Sequence, residues 1–343
     1  MKKPSEAINI VNLDHLGIVA GIIDEMELVE EVNKKVGIRI KETLSPGQVM
    51  KAMILNGLGF LSAPIYLFDT FFVGKATEHL IGEGVTPEQL NDDRIGRALD
   101  KYYQAGTTKL FMAIAMKAAL KFQVEMKSVH LDSSSISVEG AYKNCQGKSQ
   151  EVETESEDTE SDMKTIKIVH GYSRDRRPDL KQFIIDTIVS GDGDVPLYLK
   201  IDDGNTEAVK NPQILSEYKA QQSNERGFRF IKDPLFFTSS VFVKKPERVE
   251  AIGMIMGLCL LVYNLAQRKL RQQLSATNDR VKNQVKKLTD RPTMRWIFQV
   301  FQAVHLVTIN GAKQVSNLTQ EHQNILRHLG EYCCQYYLIF SSE

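Results

Sequence analysis

The strongest apolar run in the chain, Ala251 to Ala266 (AIGMIMGLCLLVYNLA), constrains the fold more than any other stretch, because it must be hidden from water on every side. It is shorter than the roughly 20 residues that a membrane-crossing helix needs. Charged residues stand close at both ends: Glu247, Arg248 and Glu250 before it, Arg268 and Lys269 after it. The run therefore reads as a core helix, opened by Pro246-Glu247 and continuing to Leu274. A chain of 343 residues with 42% hydrophobic and 25% charged side chains can wrap two or three domains around such a helix. The formal net charge is zero, so a polyanionic partner would have to be held by local clusters. Cys145, Cys259, Cys333 and Cys334 show no metal-ligand spacing, and no secretory signal opens the chain. The expectation is a reduced, cytoplasmic protein without a membrane partner.

Residues 8–122 read as helices with short connections. Asp14 is placed to cap a helix through Leu16, Val19 and Ile22. Ser45-Pro46 opens a second, Asn91-Asp92-Asp93 another, and Gly106 precedes a last one from Thr107 to Phe122. After Met126 the pattern alternates. Ser128–Val138, Ile166–Tyr172, Phe183–Val189 and Val195–Ile201 read as strands of an antiparallel meander. Residues 147–163 are acidic and polar, the composition of a disordered surface loop. Asn211-Pro212 opens a helix that Pro234 closes, and amphipathic helix is expected to the end, with Trp296, Phe298 and Phe301 in the section 294–341.

Two acids stand out. Asp132 lies in Val129-His130-Leu131-Asp132-Ser133-Ser134-Ser135, a strand on which a carboxylate is costly to desolvate unless something pairs with it. A metal ion, the neighbouring serine hydroxyls or an arginine would each serve. Glu225 lies in Tyr218-x-x-Gln221-x-x-x-Glu225-x6-Lys232, which lines all four residues along one helix stripe. An acid with a lysine two turns on suits a metal-plus-phosphate site; a solvated charged face beside Arg226 and Arg229 is the plainer reading. Residues 268–291 carry Arg268, Lys269, Arg271, Arg280, Lys282, Lys286, Lys287 and Arg291. That segment is either an ordinary surface or a DNA contact.

Taken together, these stretches resemble a DDE transposase of the insertion-sequence-four superfamily, in the branch that begins with a helical domain of unknown function. The resemblance rests on NLDHLGIVAGIIDE, LDSSSISVEG, IVHGYSRDRRPDLKQF, VPLYLKIDDGNT, ERGFRFIKDPLFF and LCLLVYNLAQRKLR, in family order. The family signature Tyr-x2-Arg-x3-Glu-x6-Lys is matched at Tyr218, Glu225 and Lys232, with Gln221 replacing the arginine.

The resemblance implies an α+β chain: an N-terminal helical domain (1–125), a truncated ribonuclease-H-like core (126–275) and a helical C-terminal region (276–343). It implies Asp132 and Glu225 as catalytic metal ligands for Mg²⁺ or Mn²⁺. Tyr218, Arg229, Lys232, Lys286 and Lys287 would contact DNA, both the element's terminal repeats and the target. The family's second acid, in an Asp-x-(Gly/Ala)-x-x-(Tyr/Phe) pattern, is absent, which points to an internal deletion between Asn205 and Tyr218. Asp202 and Asp203 are the remaining candidates for that acid. The expected function is DNA transposition by two-metal chemistry, impaired by the missing acid. The alternative is a non-catalytic DNA-binding remnant, as homodimer or mixed dimer, that inhibits intact transposase.

Overall fold

The computed structural model describes residues 8–39, 42–60, 63–138, 165–172, 179–206 and 245–340. Its elements run β1 (Ile8–Asn12), α1 (Leu16–Glu25), α2 (Leu28–Val36), α3 (Pro46–Leu58), α4 (Phe68–Phe72), α5 (Thr77–Ile81), α6 (Asp92–Gln104) and α7 (Thr107–Lys121). Then come β2 (Val129–Val138), β3 (Lys181–Ser190), β4 (Pro196–Asp202) and α8 (Pro246–Ala276). The chain ends with β5 (Val281–Lys282), β6 (Leu288–Thr289), α9 (Met294–Val300), β7 (His305–Ile309), β8 (Ala312–Ser316), α10 (Gln320–Leu329) and α11 (Glu331–Tyr336). The architecture is mixed α+β. The acidic stretch 147–163 and the helix expected between Asn211 and Pro234 lie outside the described residues.

Helix α8 is the axis. Every residue from Ala251 to Ala266 is buried. By length and hydropathy the helix could cross a membrane, but its apolar window is 94% buried inside the protein. It packs against α6, α7 and strand β4. At Gly257 an added Cβ would stand 2.1 Å from Leu199 Cδ1, so glycine lets the sheet approach the helix backbone. Arg248 at its start grips Asp100 of α6 with two hydrogen bonds of 2.7 Å.

The helix starts follow local chemistry. Ser45 and Gln48 cap each other's backbone at α3, with Pro46 in the first turn. The Asn91 side chain accepts from the Arg94 amide at α6. The meander β2–β3–β4 is antiparallel, as expected of consecutive strands in one sheet.

Four expectations are corrected. Residues 8–12 form a strand, β1, because they pair antiparallel with β7, from Ile8↔Ile309 to Asn12↔His305. Asp14 does not cap α1; it stands at φ 46° and accepts from the Ala303 amide at 2.8 Å. Ile166–Tyr172 holds only one bridge, Val169↔Gln182, rather than a strand. The section after Ala276 is not continuous helix but alternates helices with two hairpins. The β7–β8 hairpin turns on Asn310-Gly311, both at positive φ, the pair that tight hairpins favour.

The two ends of the chain close on each other. Helix α11 lies along α1, and Lys51 of α3, only 4% exposed, sits beneath them. Its ammonium donates to Asp24 Oδ1 (2.5 Å) and to the Tyr336 hydroxyl (2.8 Å), which itself donates to Asp24 Oδ2 (2.5 Å).

His15 makes a second tie. One ring nitrogen, Nε2, bonds the Leu58 carbonyl at 3.0 Å, Gln302 donates to Nδ1 at 3.1 Å, and the ring stacks on Phe298. Burial holds its pKa down from 6.5 to about 4. The unfolded chain therefore takes the proton first. Stability from this site is complete above pH 6.5 and falls as pH drops toward 4, by at most on the order of 3 kcal/mol. Urea unfolding from pH 7.5 to 4.5 should show a steeper loss in the wild type than in His15→Gln, where the smaller slope from His79, its pKa also lowered by burial, remains. Equal slopes would refute the assignment.

Candidate functional site

Asp132 sits on β2 opposite Thr187 of β3, which sits opposite Leu199 of β4. Side chains alternate across a sheet, so Asp132, Thr187 and Leu199 share one face. That face is the one α8 covers, since Gly257 meets Leu199 and Gly253 meets Ile201 and Phe183. Asp132 is half-buried and Thr187 is fully buried. Among the described strands β2 is at the sheet's edge.

The next row lies on the opposite face: Ser133 beside Asp186, and Asp186 beside Lys200. Asp202 belongs to that face too, and Lys200 Nζ pairs with its Oδ1 at 2.8 Å. The sheet thus does not bring Asp202 together with Asp132. Asp203 is engaged elsewhere: its Oδ1 accepts from the Lys167 amide at 2.7 Å, tying residues 165–172 to the end of β4. Glu225, Tyr218, Arg229 and Lys232 lie outside the described residues.

Sequence reasoning missed Asp186. It is 7% exposed, and burial pushes its carboxyl up; a Ser133 hydrogen bond lowers it and Asp202 raises it again. Its Oδ1, Ser135 Oγ, Ser137 Oγ and Gln182 Oε1 are buried atoms without a hydrogen-bond partner among the described residues, and all four project from this face. The signal was available: Phe183-Ile-Ile-Asp186-Thr187-Ile-Val sets an acid in an apolar strand just as the segment around Asp132 does. Among the described residues no group of three His, Cys, Asp or Glu could hold a metal ion.

The basic segment divides in two. Arg268 is 7% exposed and structural: it donates to the Phe122 and Gln123 carbonyls and pairs with Asp192 at 2.5 Å. Lys269 pairs with Glu25, and Arg271 Nε donates to the Pro292 carbonyl. The other five, Arg280, Lys282, Lys286, Lys287 and Arg291, are exposed on or beside the β5–β6 hairpin. None of these five is in an ion pair with a described residue, and Asp290 is the one acid between Arg280 and Arg291. Lys286 and Lys287 are at the tip.

That hairpin is firmly held. Asn283 accepts the Val285 and Lys287 amides on its side chain (3.1 and 2.9 Å) and the Lys286 amide on its carbonyl (2.9 Å). The Trp296 indole donates to the Lys282 carbonyl at 2.7 Å. At the base, Asp279 accepts from Asn324 and the Arg280 amide and bonds His328 Nε2, contacts that hold its pKa near 2.

Comparison with known proteins adds one match. Residues 8–116 fit the family model described as a domain of unknown function, DUF4277. That region spans β1 through most of α7. No curated protein and no solved structure matches the chain.

Proposed function

We propose that this protein is a DNA-binding relative of insertion-sequence transposases, built on a truncated ribonuclease-H-like core and impaired in cleavage. The observation that carries this reading is the place of Asp132: on the first strand of an antiparallel meander, on the face covered by the core helix. The N-terminal match supports it, because that domain is found in transposase-like proteins. In this reading Asp132 and Glu225 would hold Mg²⁺ or Mn²⁺. A bound ion would supply activation of water or of a 3′-hydroxyl. The described residues give one carboxylate on that face where a two-metal site takes three, so the donor set is short and no cleavage step is derived.

A second reading, a non-catalytic DNA-binding remnant acting as a homodimer or mixed dimer, is favoured by the engagement of Asp202 and Asp203 elsewhere. The test is nicking of duplex DNA carrying the sequences that flank the coding region, with Mg²⁺ or Mn²⁺. If the impaired site works, nicking is slow and disappears in Asp132→Ala and in Glu225→Ala. Nicking that survives both substitutions would sink the catalytic assignment. Absence of nicking in folded, duplex-binding protein would establish the remnant.

A further inference from the structure

The β5–β6 hairpin combines three properties that an ordinary charged surface does not need together. Its cations are exposed and without acidic partners among the described residues, as set out above. Two of its apolar residues stand in solvent while a third, Val281, is buried at its base: Val285 is 69% exposed and Leu288 63% exposed, one in the tip and one opposite Lys282. And its backbone is fixed by Asn283 and by Trp296, so the tip does not have to be ordered on binding. Lysines alone would suit any polyanion. A stiff ribbon with cations around an apolar tip suits the groove of a nucleic-acid duplex, where phosphates border a floor of sugars and stacked bases.

We propose that this hairpin enters a groove of duplex DNA and bends it. Lys286, Lys287, Lys282, Arg280 and Arg291 meet the phosphates on both sides. Val285 and Leu288 form the wedge that presses on the base steps. This rests on DNA being the partner, as proposed above, but not on any cleavage.

The test uses the full chain and a 30-base-pair duplex with dyes at both ends. Fluorescence anisotropy reads affinity over a salt series, and energy transfer between the dyes reads bending. The double variant Lys286→Ala, Lys287→Ala should bind about 10- to 30-fold more weakly near 0.15 M salt, with a salt slope shallower by about 2. Val285→Ser with Leu288→Ser should lose about tenfold in affinity, keep the wild-type salt slope, and leave the duplex straight. Both pairs are exposed, and circular dichroism would verify that the variants stay folded.

Bending unchanged in the Val285/Leu288 variant would overturn the proposal. So would a wild-type protein that binds without bending, or that prefers single strands or phosphatidylserine vesicles to the duplex. Duplex binding with bending but no nicking leaves the inference standing and removes only the cleavage reading. Nicking that persists with the hairpin variants binding like wild type removes the inference alone.

Discussion

Lys51→Ala is expected to destabilise the fold by about 3 kcal/mol, the lower end of what breaking a buried ion pair costs. Lys51 is 4% exposed, while the Asp24 side chain keeps 33% of its exposure and hence part of its hydration. That residual hydration is why the lower end is expected. Burial lowers the Lys51 pKa and Asp24 raises it back, so the lysine depends on its partner to stay charged. Removing it leaves Asp24 with the Tyr336 hydroxyl as its side-chain partner among the described residues and takes the buried stem of the lysine out of the seam between α1, α3 and α11. Urea unfolding at neutral pH measures this. Pairing Lys51→Met with Asp24→Asn should recover at least half of the loss, because neutral groups carry a much smaller desolvation penalty than ions. A loss below about 1 kcal/mol for Lys51→Ala would show that the network contributes little.

Gly21→Val is expected to cost about 3 kcal/mol, at the upper end of overpacking effects, and to lower the melting temperature by several degrees. A Cβ at Gly21 would stand 2.7 Å from Cys333 Cα and 2.8 Å from both Cys333 N and Tyr332 O. These are backbone atoms of α11, so no rotamer change relieves the clash. Helix α11 must move off α1 as a body and uncover Cys333, which is fully buried. Gly17, one turn earlier on the same face, offers a contrast. There the tightest contacts are with the outer atoms of a side chain, Tyr337 Cε2 at 2.8 Å and Cζ at 2.9 Å, rather than with backbone. Gly17→Ala should cost clearly less. Calorimetry on both variants checks the order, and a Gly21→Val protein as stable as wild type would mean that α11 does not pack as described.

What the residues revealed in advance was what nearest neighbours decide. Ser45 and Asn91 start helices through bonds made within one turn, Pro246 starts one through its fixed φ, and β3 and β4 are apolar runs with short links between them. Strand β1 carries no such local mark. Ile8 to Asn12 is a strand because His305 to Ile309 lies beside it, and the same partnership draws Asp14 away from α1 to the Ala303 amide. Asn310-Gly311 did mark the β7–β8 hairpin, but the amphipathic pattern around it was read with the helical period. The basic residues show the limit of counting charge along a segment. Arg268 and Lys287 look alike in sequence, yet one fastens carbonyls in the interior and the other stands in solvent. Asp132 was legible from its apolar strand, and Asp186 was equally so. Only the register shows that the two acids occupy opposite faces.

The pairing of β1 with β7 also sets an order of events during synthesis. Asn12 and His305, which share a hydrogen bond, are 293 residues apart. At roughly 5–20 residues per second, a ribosome takes about 15–60 s to make the second after the first. Through that interval the strand 8–12 has only its single bridge at Asn12 to Lys75 among the described residues, and α1 has no α11 to cover it. The nascent chain therefore carries an open strand edge and an apolar helix flank until residues 305–336 emerge. Such surfaces are the ones that chaperones hold and that aggregates recruit.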